Sequence, residues 1–331
     1  MPSRIVGLVL ALGAAALALE TWQVLTPTRS LAEDARLVEI PAHEGLVDIA
    51  RRLHSADLIR SPEGFLALAL ARGAARALRA GEYDVPRGTA TPGVLELLES
   101  GRVKQHAVLH PEGATVAELA RVLESARLAS AREVARVATD PRFLRSLGIE
   151  APGVEGYLFP DTYYFVRGMT PEEILTRMVQ RLHAKLTPEI RARAETRSLT
   201  IHRLLTLASI IEREAVVGDE RRLVSAVFWN RLRLEMPLQA DPTVQYALGK
   251  DRRVLTRADL QVDHPFNTYR HPGLPPGPIA SPGLDAIEAA LDPAPVKYLY
   301  FVAVDDRRHH FSTTVAEHNA AVSRYRLARV R

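Results

Sequence analysis

Within the stretch LASIIEREA, Leu207 to Ala215, two carboxylates, Glu212 and Glu214, are set in an apolar helical pattern. A carboxyl group held against leucine and isoleucine side chains resists ionisation, so its pKa rises toward neutrality and it can donate a proton at working pH. Cleavage of a glycosidic bond needs such an acid, because the departing oxygen must be protonated. Two positions apart on a helix, the side chains diverge by about 200° and cannot face one substrate atom together. Each stands about 80° from the centre of the apolar stripe, so helical geometry does not choose between them. A two-carboxylate mechanism needs the pair about 5 Å apart for retention or about 6.5 to 9.5 Å for inversion. A partner would therefore come from Asp241, Asp161 or Glu155. The competing reading is a solvated pair of surface glutamates bracketing Arg213.

Other chemistries find less support. His264, His271, His309, His310 and His318 raise the question of zinc. Yet His309 and His310 are adjacent in an expected strand and point to opposite faces, and no HExxH pattern exists. Neither a GxSxG elbow nor a phosphate-cradling glycine loop is present. The absence of cysteine removes thiolate zinc sites, disulfides and thiol nucleophiles. No metal and no cofactor are expected. The net charge is only +4, and the arginines are spread along helical segments rather than clustered, so nucleic acid is not an expected partner.

The elements that must position the glutamates begin with Arg4 and the uncharged apolar run Ile5 to Leu19, closed by Glu20 and Trp22. Spanning the hydrocarbon core takes roughly 20 residues, which an extension through Thr21 to Leu25 would supply. The cleavage-site match Ala16-Leu17-Ala18 lies inside the run, so an uncleaved anchor is expected, with everything after it exported. Thr26 to Glu33 reads as a polar linker. A partial repeat follows at an offset of 70 residues: Pro41 to Leu53 pairs with Pro111 to Leu123, each a short strand entering a helix. Between the copies, Pro62 to Arg79 is helical, Ala80 to Pro86 a strand and turn, and Thr91 to Gly101 a helix. A small α+β domain fits residues 37–110.

Further on, Glu155 to Phe165 (EGYLFPDTYYF) is unusually aromatic, either a sugar platform or a strand burying Tyr157, Phe159, Tyr163 and Phe165 on one face. Helices are expected over Thr200 to Val217 and Asp219 to Leu234, the second capped by Asp219. Asn230 falls on its apolar side, as a satisfied core amide or as a group orienting the acid. His264 to Gly283 is too rich in proline and glycine for regular structure and suits a rigid cleft wall carrying Asn267, Thr268 and Tyr269. Ser281 is expected to cap a helix started by Pro282. Strands from Tyr298 to Val304 and through Phe311, then a helix opened by the capping box Thr314 to Glu317, close the chain.

LASIIEREA, VFWNRL (Val227 to Leu232), LQADPTVQYALG (Leu238 to Gly249), FNTYRHPGLPPGPIASPG (Phe266 to Gly283), YLYFVA (Tyr298 to Ala303) and HFSTTVAEHN (His310 to Asn319) together resemble the endolytic murein transglycosylase family, MltG or YceG-like. The resemblance covers nearly the whole chain and implies three parts. Residues 1–28 would be a cytoplasmic stub and transmembrane anchor, 37–110 a LysM-like α+β domain, and 111–331 a larger mixed α+β catalytic domain. It implies a single-pass inner-membrane protein with periplasmic domains, acting on nascent glycan strands beside peptidoglycan synthases. The catalytic glutamate maps onto Glu214, with Glu212 as the alternative. A lytic transglycosylase uses one carboxyl, as acid and then as base toward the muramyl C6 hydroxyl, so no second carboxylate is required. Gln239, Asp241, Asn267 and Tyr269 match motif positions that look cleft-lining, as do Glu155, Asp161 and Asn230.

Three outcomes are distinguishable: a transglycosylase leaving 1,6-anhydro ends, a non-catalytic peptidoglycan-binding scaffold, and a hydrolytic muramidase using Asp241 or Asp161 beside Glu214.

Overall fold

The computed structural model describes residues 2–28, 36–249, 254–305 and 307–329. The chain divides into two compact units: Met1–His106 with Tyr164–Met169, and Ala107–Tyr163 with Thr170–Arg331.

The first unit opens with α1 (Pro2–Leu25). Its stretch Ile5–Leu25 is long and apolar enough to cross a membrane, and none of it is buried in the protein. Next come β1 (Arg36–Ile40), α2 (Leu46–Ser55), α3 (Pro62–Ala71), β2 (Gly81–Val85) and α4 (Thr91–Ser100). Strands β1 and β2 pair antiparallel, Val38 opposite Tyr83. Their inward residues Val38, Ile40, Tyr83 and Val85 close a core with Leu53, Phe65, Leu95 and Leu98. Gly101 ends α4 in the left-handed conformation that glycine adopts without Cβ cost. The last turns of α1 are fastened to the region around α3. The Ser61 hydroxyl donates to Glu20 at 2.9 Å, and the Arg60 guanidinium lies 4.9 Å over the Trp22 ring while donating to the Pro27 carbonyl. The Thr28 hydroxyl reaches the Asp57 carbonyl. Of the expected linker, residues 29–33 lie outside the described residues.

The second unit contains most of β3 (His106–His110) and of β4 (Asp161–Phe165), whose His106 and Tyr164–Phe165 count with the first unit, together with α5 (Val116–Ser125), α6 (Ala131–Ala138), α7 (Pro141–Ser146), α8 (Pro171–Lys185) and α9 (Pro188–Thr196). After these come α10 (Ile201–Glu214), α11 (Arg221–Arg233), α12 (Asp241–Ala247), α13 (Leu284–Leu291), β5 (Tyr300–Ala303), β6 (His309–Ser312) and α14 (Val315–Arg329). β3 pairs with β4, and β5 with β6. The centre is α10, whose residues Leu204 to Ile211 are all buried, packed against α13, α11 and α12.

The repeat extends to backbone detail. β3 and α5 each begin 70 residues after β1 and α2. The turns place His43 and Gly113 at matching left-handed positions, and the helices end on Asp57 and Arg127, both at φ 54°. In each copy the amide two residues past the helix cap returns to a leucine carbonyl: Leu58 to Leu53 and Leu128 to Leu123, both at 2.9 Å.

Several local expectations are corrected. Glu155 to Phe165 is a strand only from Asp161. The residues before it turn, and Tyr157, Phe159 and Phe165 are buried as core rather than presented as a platform. Asp219 does not cap α11: a short 3₁₀ turn, Gly218–Glu220, leads into it, and Asp219 pairs with Arg308 at 3.2 Å. Ser281 does not cap α13, which starts after Gly283. The Ser281 hydroxyl meets the buried His110 Nε2 at 2.8 Å, because a buried polar pair costs more to leave unmade than an exposed cap. The capping box opening α14 is present, with Glu317 N–H donating to the Thr314 hydroxyl and Thr313 and Thr314 N–H to the Glu317 carboxylate.

Candidate active site

The two glutamates of α10 have different surroundings. Glu212 is occupied: its side chain is 5% exposed and receives the Arg221 guanidinium at 3.3 Å, while the Gly283 N–H donates to it at 2.9 Å. It ties α10 to the start of α11 and α13. Glu214, the last helical residue, is half-buried and makes no hydrogen bond or ion pair with a described residue. Burial of its carboxyl pushes its pKa up to about 8; the nearby Asp241 carboxylate adds to this, and the Arg213 and Arg231 guanidiniums oppose it. A carboxyl with that pKa is mostly protonated at neutral pH and can act as a general acid.

Around it stand groups from α11, α12 and the loop before α13. Asp241, exposed at the first position of α12, accepts the Tyr269 hydroxyl at 2.5 Å. Burial, and then that bond to Asp241, raise the Tyr269 pKa, so the phenol stays a proton donor. Gln239 is exposed in a left-handed backbone conformation, φ 50°, its amide bonded to the Thr268 carbonyl. Such a conformation costs a non-glycine residue about 1–3 kcal/mol and is commonly stored at functional sites. Thr268 holds this geometry by bonding Ala240 N–H and the Thr243 hydroxyl.

Arg231 was not among the residues expected from the sequence. Buried on α11, it donates to the Leu299, Pro237 and Leu238 carbonyls and to Gln239 Oε1, and lies 5.3 Å over the Tyr300 ring. It joins the Gln239 turn to β5 while supplying positive charge beside Glu214. A detectable signal was an arginine inside the apolar pattern of VFWNRL, since a buried guanidinium must be satisfied.

The remaining expected residues separate. Asn230, 7% exposed, gives both amide hydrogens to the Val296 and Tyr298 carbonyls, which makes it a clamp on the segment before β5, in the wall of a second cavity with Trp229 and Val296 whose lining does not include Gln239, Asp241 or Glu214. Asn267 is 0% exposed; its amide bonds the Leu260 and Val262 carbonyls, and its Oδ1 receives the Tyr269 N–H. It shapes the loop that carries Tyr269 and cannot itself reach a substrate. Burial opposes ionisation of Asp161, but the Thr162 N–H and Arg181 outweigh it and hold that carboxyl low. With its charge spent on α8, Asp161 makes a poor partner for the acid. Glu155 receives the Val116 N–H at the start of α5, at 3.2 Å to each oxygen. Burial raises its pKa to about 8 against the pull of the Val116 and Gly156 amides.

Glu155 also lines a cavity of about 500 Å³ whose wall includes Arg213, Gln245, Tyr246 and Phe266. Glu214 is not in that wall, but Arg213 is its neighbour in sequence. The cavity and the carboxyl thus share α10, α12 and the loop after it.

A family model described as the YceG-like family matches residues 38–324. The chain is 33% identical over 318 residues to the endolytic murein transglycosylase of Bacillus subtilis (strain 168), covering 91% of this chain and 88% of that protein. It is 32% identical over 280 residues to the protein of that name from Streptococcus pneumoniae serotype 2 (strain D39), covering 75% of this chain and 51% of that one. Among solved structures, a YceG-like protein of Listeria monocytogenes aligns with a TM-score of 0.62 at 33% identity, covering 87% of this chain and 99% of its own.

Proposed function

The chain belongs to the YceG-like family, and from that premise we propose that it is an endolytic lytic transglycosylase of murein with Glu214 as its acid and base. The observation that carries this is the contrast on α10: Glu212 is bound in an ion pair, while Glu214 has no hydrogen-bond or ion-pair partner among the described residues and its pKa is raised to about 8. Protonated Glu214 donates to the oxygen joining N-acetylmuramic acid to N-acetylglucosamine as the muramyl C1–O bond breaks. The resulting carboxylate then takes the proton from the muramyl C6 hydroxyl, whose oxygen attacks C1 and closes a 1,6-anhydro ring. No water is consumed. Arg231 and Arg213 moderate the carboxyl pKa, and Gln239, Asp241 and Tyr269 present polar groups to the sugar.

The first unit reads as a LysM-like glycan-binding module, supported by its β–α–α–β order and the antiparallel pairing of the outer strands. Arg4 before the apolar helix supports a single-pass inner-membrane topology with a cytoplasmic N-terminus, the globular units in the periplasm near peptidoglycan synthases.

One observation favours a second reading. Asp241 is near enough to influence Glu214 and is held by Tyr269, so a hydrolytic muramidase with Asp241 orienting water is the alternative. Mass spectrometry of uncrosslinked strands incubated with the detergent-solubilised chain decides. Anhydro-muramyl ends support the transglycosylase, reducing ends replace it with the muramidase, and binding without cleavage leaves a scaffold.

A further inference from the structure

The cavity beside the site differs in character from a sugar subsite. A sugar ring carries a hydroxyl on most carbons, and each one buried without a partner costs about 1–3 kcal/mol. Here Ala117, Ala135, Val154, Tyr246, Phe266 and Pro278 make a mainly apolar surface, with Thr115, Thr139, Glu155, His202 and Gln245 as its few uncharged or acidic polar groups, fewer partners than a buried sugar ring demands. Two cations, Arg121 and Arg213, reach the same space. Its volume, about 500 Å³, exceeds that of a single acetyl or methyl group and falls within the range of small-ligand pockets. An occupant matching these walls is short, built of small apolar residues, and acidic.

We propose that this cavity receives the peptide stem borne by the muramyl residue being cleaved, making the enzyme selective for strands that still carry their stems. The inference rests on the murein reading above. In murein the stem hangs from the lactyl ether of the muramyl sugar, the ring whose C1 is cleaved, and begins with alanine followed by an acidic residue. The placement agrees. Arg213, in the cavity wall, lies close enough to act electrostatically on both Glu155 of that wall and Glu214, Tyr246 lies on the helix begun by Asp241, and Phe266 is on the loop that carries Tyr269, so the cavity and the acid share these elements. The alanyl methyl meets the apolar wall, and the acidic residue faces the exposed Arg121 guanidinium, with Arg213, which donates to the Gly113 carbonyl, adding positive charge nearby. Glu155, neutral at working pH because burial raises its pKa to about 8, does not repel that carboxylate.

The test compares uncrosslinked strands carrying stems with the same strands stripped by an N-acetylmuramyl-alanine amidase, using the full chain in detergent. The expected result is a kcat/KM at least 10-fold higher on stem-bearing strands. Ala117→Trp and Ala135→Trp, which fill the cavity from exposed positions on α5 and α6, should reduce that preference to near unity. So should the surface change Arg121→Glu, a control against misfolding of the bulky variants. Equal kcat/KM on both strands overturns the inference while leaving the transglycosylase reading intact. If neither strand is cleaved, that reading falls, and calorimetry with soluble muramyl tripeptide decides. Binding by wild type, lost in Arg121→Glu, supports the pocket, and no binding by wild type removes it.

Discussion

At Glu214 the proposal gives three measurable outcomes. Glu214→Gln keeps the shape of the side chain and removes the transferable proton, so kcat should fall about 10²- to 10⁴-fold with an unchanged circular dichroism spectrum. Since the acid must be protonated, wild-type kcat should decline as pH rises through about 8, the value to which burial raises this carboxyl. Stability follows the same sign. The folded pKa lies above the unfolded value of 4.5. Its favourable contribution is therefore complete below about 4.5 and lost as pH rises through about 8. Glu214→Gln should accordingly gain in melting temperature relative to wild type between pH 5 and pH 8.5; a constant difference would remove the shifted carboxyl. The LASIIEREA motif singled out both carboxylates, but helical spacing could not separate Glu212 from Glu214. The discriminating partners, Arg221 and the Gly283 N–H, come from other elements, and Gly283 lies 71 residues along the chain. Asn230 and Asn267 illustrate the converse: each polar residue answers a structural demand for a buried donor, and sequence alone does not show which way an amide faces.

Among the elements, local signals were legible where local chemistry prevails. The strand-to-helix repeat, the end of α4 at Gly101 and the capping box of α14 were all readable, because proline, glycine and threonine act within a few residues. The failures at Asp219 and Ser281 arise where tertiary partners, Arg308 and His110, outcompete a cap. The loop from His264 to Gly283 joins the two cases: its irregularity was evident, its internal clamp was not. Asn267→Asp withdraws two buried amide donors from the Leu260 and Val262 carbonyls, each worth about 1–3 kcal/mol. The variant should melt earlier in calorimetry, while its remaining carboxylate oxygen still accepts the Tyr269 N–H. Gly156 sits at φ 78°, where an added methyl would overlap the Pro278 ring. Gly156→Ala should therefore cost about 1–3 kcal/mol in denaturant unfolding. A wild-type midpoint would show that the turn relaxes.

For the whole molecule, the sequence disclosed an apolar N-terminal segment but not how its end is held. Deleting residues 2–28 should move the protein from the membrane to the soluble fraction on centrifugation; continued sedimentation with membranes would show that α1 is not the anchor. The Glu20–Ser61 bond and the Arg60–Trp22 stack lie where α1 gives way to the globular part. A chain fastened there acts as a mast, not a tether. Were α1 to span a bilayer, as proposed, the first unit would stand at one height above it, to within the play of a few side chains.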